Sequence, residues 1–253
     1  MLPPIAELAA APTWRVADFI SDLHLQATEP ATFDAWRGYL QATPADALFI
    51  LGDLFEAWPG DDAIGADAFA AQCTEALRSF SQRKPLFVMR GNRDFLLGKH
   101  FARASGAQLL ADPTVLAFAG QNYLLSHGDA LCLGDADYLQ FRAQVRQPAW
   151  QREFLARPLP ERQAIARSLR AQSEDRKRAG ATYADVDTRE ASLWLAKAQS
   201  DLLVHGHTHK PGEHVLGCDR RRIVLSDWDI AASPPRADAL RLTHDGFERV
   251  PLA

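Results

Sequence analysis

The stretch LLVHGHTHKPGEH, residues 202–214, runs from an apolar segment straight into four histidines within ten positions, half of the eight in the chain. Leu202 to His205 reads as the last steps of a buried strand. In α/β proteins ligands collect beyond the carboxyl ends of strands, so imidazoles placed there point to a binding site. Four earlier apolar runs end in the same way. SDLHL supplies Asp22 and His24, LGDLFE supplies Asp53, MRGNRDF supplies Asn92, Arg93 and Asp94, and LSHGD supplies His127 and Asp129. Five such clusters in order predict one crevice at one edge of a sheet.

Strands are expected at 14–20, 46–51, 85–89, 115–118, 123–126, 201–205, 222–226 and 239–243, where β-branched and aromatic residues dominate. Between several of them the spacing is helical, as over 66–80 with Phe69, Cys73, Ala76, Leu77 and Phe80. Strand–helix alternation argues for an α/β fold, with an antiparallel portion in the hairpin-like tail after 215. Residues 136–197 hold no strand pattern and are mostly helical, interrupted at Pro148, Pro158 and Pro160, which reads as a helical insertion or cap. With 253 residues, 47% of them hydrophobic, and no linker-like stretch, residues 1–253 read as a single domain.

No run approaches the ~18 apolar residues of a membrane span, and MLPPIAELAAAPTWR lacks the basic start of a secretion signal, so the expected location is cytoplasmic. Cys73, Cys132 and Cys218 form no CxxC pair and suit packing rather than a disulfide or zinc framework. Net charge is −4, which gives no overall pull toward nucleic acid. Charge is uneven along the chain: residues 141–180 carry ten basic against four acidic side chains, which reads either as a basic patch or as a solvated helical face.

Residues two apart on an extended exit point the same way, so Asp22 with His24, and His207 with His209, each present a pair of donors. Carboxylate, amide oxygen and imidazole without thiolate suit Mn²⁺, Fe²⁺ or Zn²⁺. Asp22, His24, Asp53, Asn92, His127, His207 and His209 make seven groups, too many for one ion and about right for two that share Asp53. Glycines at 52, 91, 128 and 206 stand where the backbone must turn sharply or approach the site closely.

The order Asp-x-His, Gly-Asp, Gly-Asn, His, Gly-His-x-His resembles the calcineurin-like metallophosphoesterases, from about residue 16 to 230. The resemblance implies two mixed β-sheets sandwiched between helices. LGDLFEAWPGDD (51–62), RGNRDFLLGK (90–99), LSHGDALCLGDADY (126–138) and HGHTHKP (205–211) are further similar to the UDP-2,3-diacylglucosamine diphosphatases of lipid A synthesis. That likeness implies two Mn²⁺ ions, the first held by Asp22, His24, Asp53 and His209, the second by Asp53, Asn92, His127 and His207. It implies substrate contacts at Asn92, Arg93, Asp135, Ser173, Lys177 and His207, with Gly180 where a lysine is expected and Arg178 as the replacement cation. Arg93 stands where most of the superfamily has histidine; a guanidinium grips phosphate as a permanent charge but is a poor proton donor. Asp94 and Asp129 are expected to orient histidines or backbone amides, His205 to pack behind the site, and His214 to lie outside it.

The implied reaction is hydrolysis of UDP-2,3-diacylglucosamine to UMP and 2,3-diacylglucosamine 1-phosphate, with a metal-activated water attacking the α-phosphorus. Tyr138, Phe141, Val145, Trp150, Phe154 and Leu155 would line a chamber for acyl chains, while arginines of the insertion face the diphosphate or anionic headgroups on the cytoplasmic face of the inner membrane. No nucleic acid or obligate protein partner is expected. Two rival readings are a cyclic-nucleotide phosphodiesterase or nuclease on the same dinuclear site, and a binding module on an inactive phosphoesterase fold. Arg93 and the amphipathic insertion count against the first. The complete ligand set counts against the second.

Overall fold

A computed structural model describes residues 3–178, 184–217 and 219–252, apart from the side chains of Glu174, Arg176 and Lys177. Gly180 and Cys218 therefore lie outside the described residues, as does the side chain of Lys177. The chain opens with β1 (Ala6–Ala9), β2 (Ala17–Ile20), α1 (Pro30–Ala42) and β3 (Ala47–Leu51). Helices α2 (Ala63–Ala66) and α3 (Ala68–Ser81) follow, then β4 (Leu86–Met89), α4 (Lys99–Ser105) and β5 (Gln108–Leu110). Next come the hairpin β6 (Thr114–Phe118) and β7 (Gln121–Ser126) and the helices α5 (Ala136–Val145), α6 (Pro148–Leu155), α7 (Leu159–Arg178) and α8 (Thr188–Ala198). Strands β8 (Leu202–His205), β9 (Gly212–Gly217), β10 (Arg220–Val224), β11 (Asp238–Thr243) and β12 (Gly246–Pro251) close the fold.

All eight expected strands are present. The helical pattern at 66–80 is split at Asp67, whose carboxylate accepts from the backbone N–H of Phe69 and Ala70 and so starts α3 afresh. Four strands escaped the sequence reading: β1, β5, β9 and β12. They are sheet edges or are short, and β9 alternates half-buried with exposed residues instead of showing an apolar run. The leading residues, to which the sequence assigns no role, supply β1, which extends a sheet by pairing parallel to β6.

Among the described residues the strands form two mixed six-stranded sheets, ordered β1-β6-β7-β8-β10-β9 and β12-β11-β2-β3-β4-β5. This is the expected sandwich. In β3, Ala47, Phe49 and Leu51 face the other sheet while Leu48 and Ile50 face α1 and α3, which is why ALFIL is apolar at every position. Phe19, Phe49 and Phe87 are in register across β2, β3 and β4, and their rings stack with centroids 5.0 and 4.7 Å apart. This ladder fixes the parallel strands whose ends carry Asp22, Asp53 and Asn92. Cys73 and Cys132 are buried, and burial pushes both thiols up to about 12, in keeping with packing roles.

Within the expected insertion, α8 belongs to the body: Ala191, Trp194, Leu195 and Ala198 pack on Val115, Leu124 and Leu203 of the first sheet. The part that stands over the site is α5–α7. It rests on the body through Trp150, which stacks on Phe154 at 4.9 Å and meets Phe95 at 6.1 Å. Truncating the centre of the aromatic ladder, Phe49→Ala, should cost about 3–5 kcal/mol in chemical denaturation. A loss below about 1 kcal/mol would mean that the ladder does not hold the parallel strands.

Candidate metal centre

The strand ends deliver the seven expected donors to one crevice, and the backbone bends sharply to do so. Asp22, His24, Asp53, His207 and His209 all have left-handed φ, between 48° and 66°. They are five of the eight described non-glycine residues in that region, which costs an L-residue roughly 1–2 kcal/mol. Two glycines make the crowding visible. A Cβ on Gly91 would lie 2.0 Å from Asp53 Oδ1, and one on Gly206 would lie 2.2 Å from Asp22 Oδ2. Only a residue without a side chain lets these loops close around the carboxylates.

Donor atoms meet at two points. At the first, His24 Nε2 and His209 Nε2 are 3.3 Å apart and His209 Nε2 is 3.5 Å from Asp22 Oδ1. At the second, Asn92 Oδ1 is 2.9 Å from His127 Nε2 and 2.8 Å from His207 Nδ1, with Asp53 Oδ1 3.7 Å from His127 Nε2. His127 Nδ1 lies 2.9 Å from the Leu51 carbonyl; donating its proton there leaves the Nε2 lone pair directed at the second point. The Asn92 amide turned the other way would donate its N–H to both imidazoles. With both ring nitrogens unprotonated, the Asn92 oxygen and the two imidazoles turn their lone pairs toward one point, an arrangement that a divalent cation fits. Asp22 belongs to both groups, with His24 and His209 and with Asp53 and His127, so the carboxylate shared between two ions need not be Asp53 alone.

Charge in the crevice tells the same story. Burial pulls the His127 imidazole down, but the carboxylates of Asp53, Asp129 and Asp22 outweigh it and push it up to about 9. Burial would raise Asp22, yet contact with His209 and the nearby His127 and His24 hold its carboxyl well below the usual range. Burial and His127 bring His207 down to about 4. Among the protein's own groups, carboxylates and imidazoles thus compete for positive charge.

Several neighbours hold this geometry. Asp94 accepts from the N–H of Leu54 at 2.8 Å and of Gly91 at 2.7 Å, tying two ligand loops together as expected; burial and the charge of Asp53 push it up to about 6. The His207 N–H donates to Asp22. His205 is fully buried behind the site, its Nδ1 2.8 Å from the Gly206 carbonyl and its Nε2 3.2 Å from the Arg222 guanidinium. His214, on β9, is half-buried and outside the site.

Asp129 does something else than expected. It accepts from the Tyr138 hydroxyl at 2.5 Å and from Arg142 Nε at 2.8 Å, binding α5 to the loop that carries His127. Glu56, which sequence reasoning passed over, lies 3.2 Å from His24 Nδ1 and 3.3 Å from Arg93 NH1 and bonds Arg170 of α7. Arg162 pairs with Asp62. Arg146 donates to the Gly91 carbonyl at 2.9 Å. Four arginines of the basic stretch are thus turned inward onto the body. Arg178 pairs with Asp175 at the exposed surface and lines neither of the cavities beside the site.

Those cavities adjoin. One, of about 290 Å³, is lined by Trp58, Phe95, Tyr138, Phe141, Trp150, Phe154, Ile165 and Leu169 among others. Val145 is buried away from it and Leu155 is exposed, so those two chamber assignments are replaced by residues of α7 and the body. The other, of about 430 Å³, is lined by Asp53, His207, Thr208, His209 and Lys210. Asn92, Arg93, Asp135, Tyr138 and Ser173 border both. Asp135 also caps α5 by accepting from the Tyr138 N–H at 3.0 Å.

The profile of the calcineurin-like phosphoesterases matches residues 17–211. A UDP-2,3-diacylglucosamine hydrolase of Chromobacterium violaceum is 47% identical over 243 residues, covering 92% of this chain and 98% of that one. Proteins of the same name from Bordetella pertussis and Stenotrophomonas maltophilia are each 44% identical, covering 90% and 91% of this chain and 92% and 98% of theirs. The matched stretch runs from the strand before Asp22 to just past His209 and so takes in every strand end that converges here: the chain belongs to the calcineurin-like phosphoesterase family, in the branch whose members are named UDP-2,3-diacylglucosamine hydrolase.

Proposed function

We propose that this enzyme hydrolyses UDP-2,3-diacylglucosamine to UMP and 2,3-diacylglucosamine 1-phosphate, water attacking the α-phosphorus, at a centre held by Asp22, His24, Asp53, Asn92, His127, His207 and His209. The observation that carries this reading is the shared border of the two cavities: donors for cations and an apolar chamber open onto the same residues, Asn92 and Arg93. Two Mn²⁺ ions would supply charge to the phosphoryl oxygens and an acidified water at neutral pH.

The chain's own groups do the rest. Arg93 is one-eighth exposed and paired with Glu56, and its backbone N–H donates to Asp53 Oδ1 at 2.8 Å, so its guanidinium is held at the junction as a fixed positive charge on the diphosphate. Asp135 and Ser173 border the same junction and suit the sugar hydroxyls. Lys177 stays a proposed contact on resemblance alone. The aromatic chamber suits acyl chains, each buried CH₂ contributing about 0.8 kcal/mol. A nuclease or cyclic-nucleotide phosphodiesterase would leave that chamber without use.

Among the described residues no helix is long and apolar enough to cross a membrane. We propose shallow contact with the cytoplasmic face of the inner membrane, supported by exposed Leu155 and Leu169 on the insertion beside exposed arginines such as Arg157. The proposed reading includes no obligate protein partner.

UMP release from the diacylated sugar nucleotide should vanish on chelation and return with Mn²⁺, and the non-acylated counterpart should show a KM at least about tenfold higher, a small part of the apolar term. Equal KM values would remove the acyl-chain reading and leave the diphosphatase chemistry. Asp53→Asn and His127→Ala should each lower kcat by about 10²–10³-fold or more; without metal, Asp53→Asn should keep its melting temperature within a few degrees, while His127→Ala, which leaves the buried carboxylates uncompensated, should lower it. Wild-type turnover by either variant would refute the assignment of these two residues.

A further inference from the structure

The substrate proposed above has two ends, and the acyl chamber accommodates only one of them. We propose that the second cavity, on the side of His207 and His209, is the nucleotide subsite, with Thr208 and Lys210 as its reading residues; the inference rests on the proposed reaction. The two cavities meet along Asn92, Arg93, Asp135, Tyr138 and Ser173, so a diphosphate held by Arg93 at that border sends its lipid half one way and its nucleotide half the other.

Two features of this second cavity fit a nucleoside monophosphate. Thr208 lines this cavity of about 430 Å³, and its buried Oγ1, just beneath the lining, has no hydrogen-bond partner among the protein's groups. Such a group is costly unless a ligand or water meets it. It sits between His207 and His209, yet it serves neither of the points where the donors meet. Lys210 lies one residue past His209 on the same wall, about half exposed. Its ammonium is 3.3 Å from Asp185 Oδ2, but Asp185 also pairs with Arg222 at 2.9 Å, so this carboxylate is shared between two cations. Lys210 therefore keeps charge to offer an anion entering from the cavity. The chemistry assigns Lys210 to the phosphate and Thr208 to the nucleoside.

Calorimetric binding of UMP and, separately, of 2,3-diacylglucosamine 1-phosphate to the Mn²⁺-loaded protein tests this. Thr208→Val, nearly isosteric, and Lys210→Met should each weaken UMP about three- to tenfold, the scale of one hydrogen bond or one part-exposed ion pair. Both should leave the lipid product and the Mn²⁺ content within about twofold. Phe141→Ala, in the chamber, should do the reverse. Binding of UMP unchanged in both variants would overturn the assignment, as would equal loss of both products. Wild-type protein that releases UMP from the diacylated substrate while the two variants bind UMP normally would sink only the nucleotide subsite. Wild-type protein that releases none would sink the reaction on which it rests.

Discussion

Left-handed backbone at the carboxyl ends of β2, β3 and β8 is the constraint on which the rest depends. Five ligand residues held at positive φ amount to several kcal/mol of local strain, and that conformation persists only if the surroundings over-determine it. They do. The His207 N–H reaches back to Asp22, the Gly206 N–H to the His127 carbonyl, the Asp22 N–H to the Gly52 carbonyl, and Asp94 staples Leu54 to Gly91. Together these bonds join the ends of β2, β3, β4, β7 and β8. The loops consequently form one knit surface, with the donors fixed before any ion arrives. Preorganisation of this kind removes the cost of gathering ligands at the moment of binding.

Rigid sheets are the other half of that condition. Phe19, Phe49 and Phe87 stack across three parallel strands, so the positions of Asp22, Asp53 and Asn92 relative to one another follow from a packed aromatic ladder as well as from the loops' own conformation. Shared burial then sets the electrostatics. Carboxylates this close and this dry would repel one another; imidazoles among them, above all His127, compensate in the protein's own charge.

Most of the centre was legible because it obeys local rules. Ligands follow apolar runs, paired donors are two residues apart, and glycine marks the closest backbone approaches, all of which a single chain displays in order. Long-range pairing was not legible. Asp129 with Arg142, Glu56 with Arg170 and Asp62 with Arg162 join residues up to 114 positions apart, and nothing in the spacing of arginines along 141–180 tells which carboxylate each will meet. The same stretch could have been a solvated face or a phosphate grip, and four of its arginines turned out to be struts. Helix α8 escaped for a related reason: periodicity shows that it has an apolar face but not whether the sheet or the insertion covers it. Edge strands such as β9 lack the two-sided burial that makes a strand conspicuous.

Those struts tie the insertion to the chemistry. Asp129 lies two residues beyond His127 and grips α5; Glu56 lies between His24, Arg93 and α7; Arg146 holds the carbonyl of Gly91, next to Asn92. A displacement of α5 or α7 is therefore felt directly by the loops that carry donors on both sides of the centre. A ligand that favoured one placement of α5 or α7 would, by linkage, favour the matching placement of the donors. An insertion packed by apolar contact alone, as through Trp150 and Phe154, would shelter the substrate without that coupling. Buried ion pairs between insertion and body add little net stability once desolvation is counted, so their placement against ligand loops is better understood as positioning than as glue.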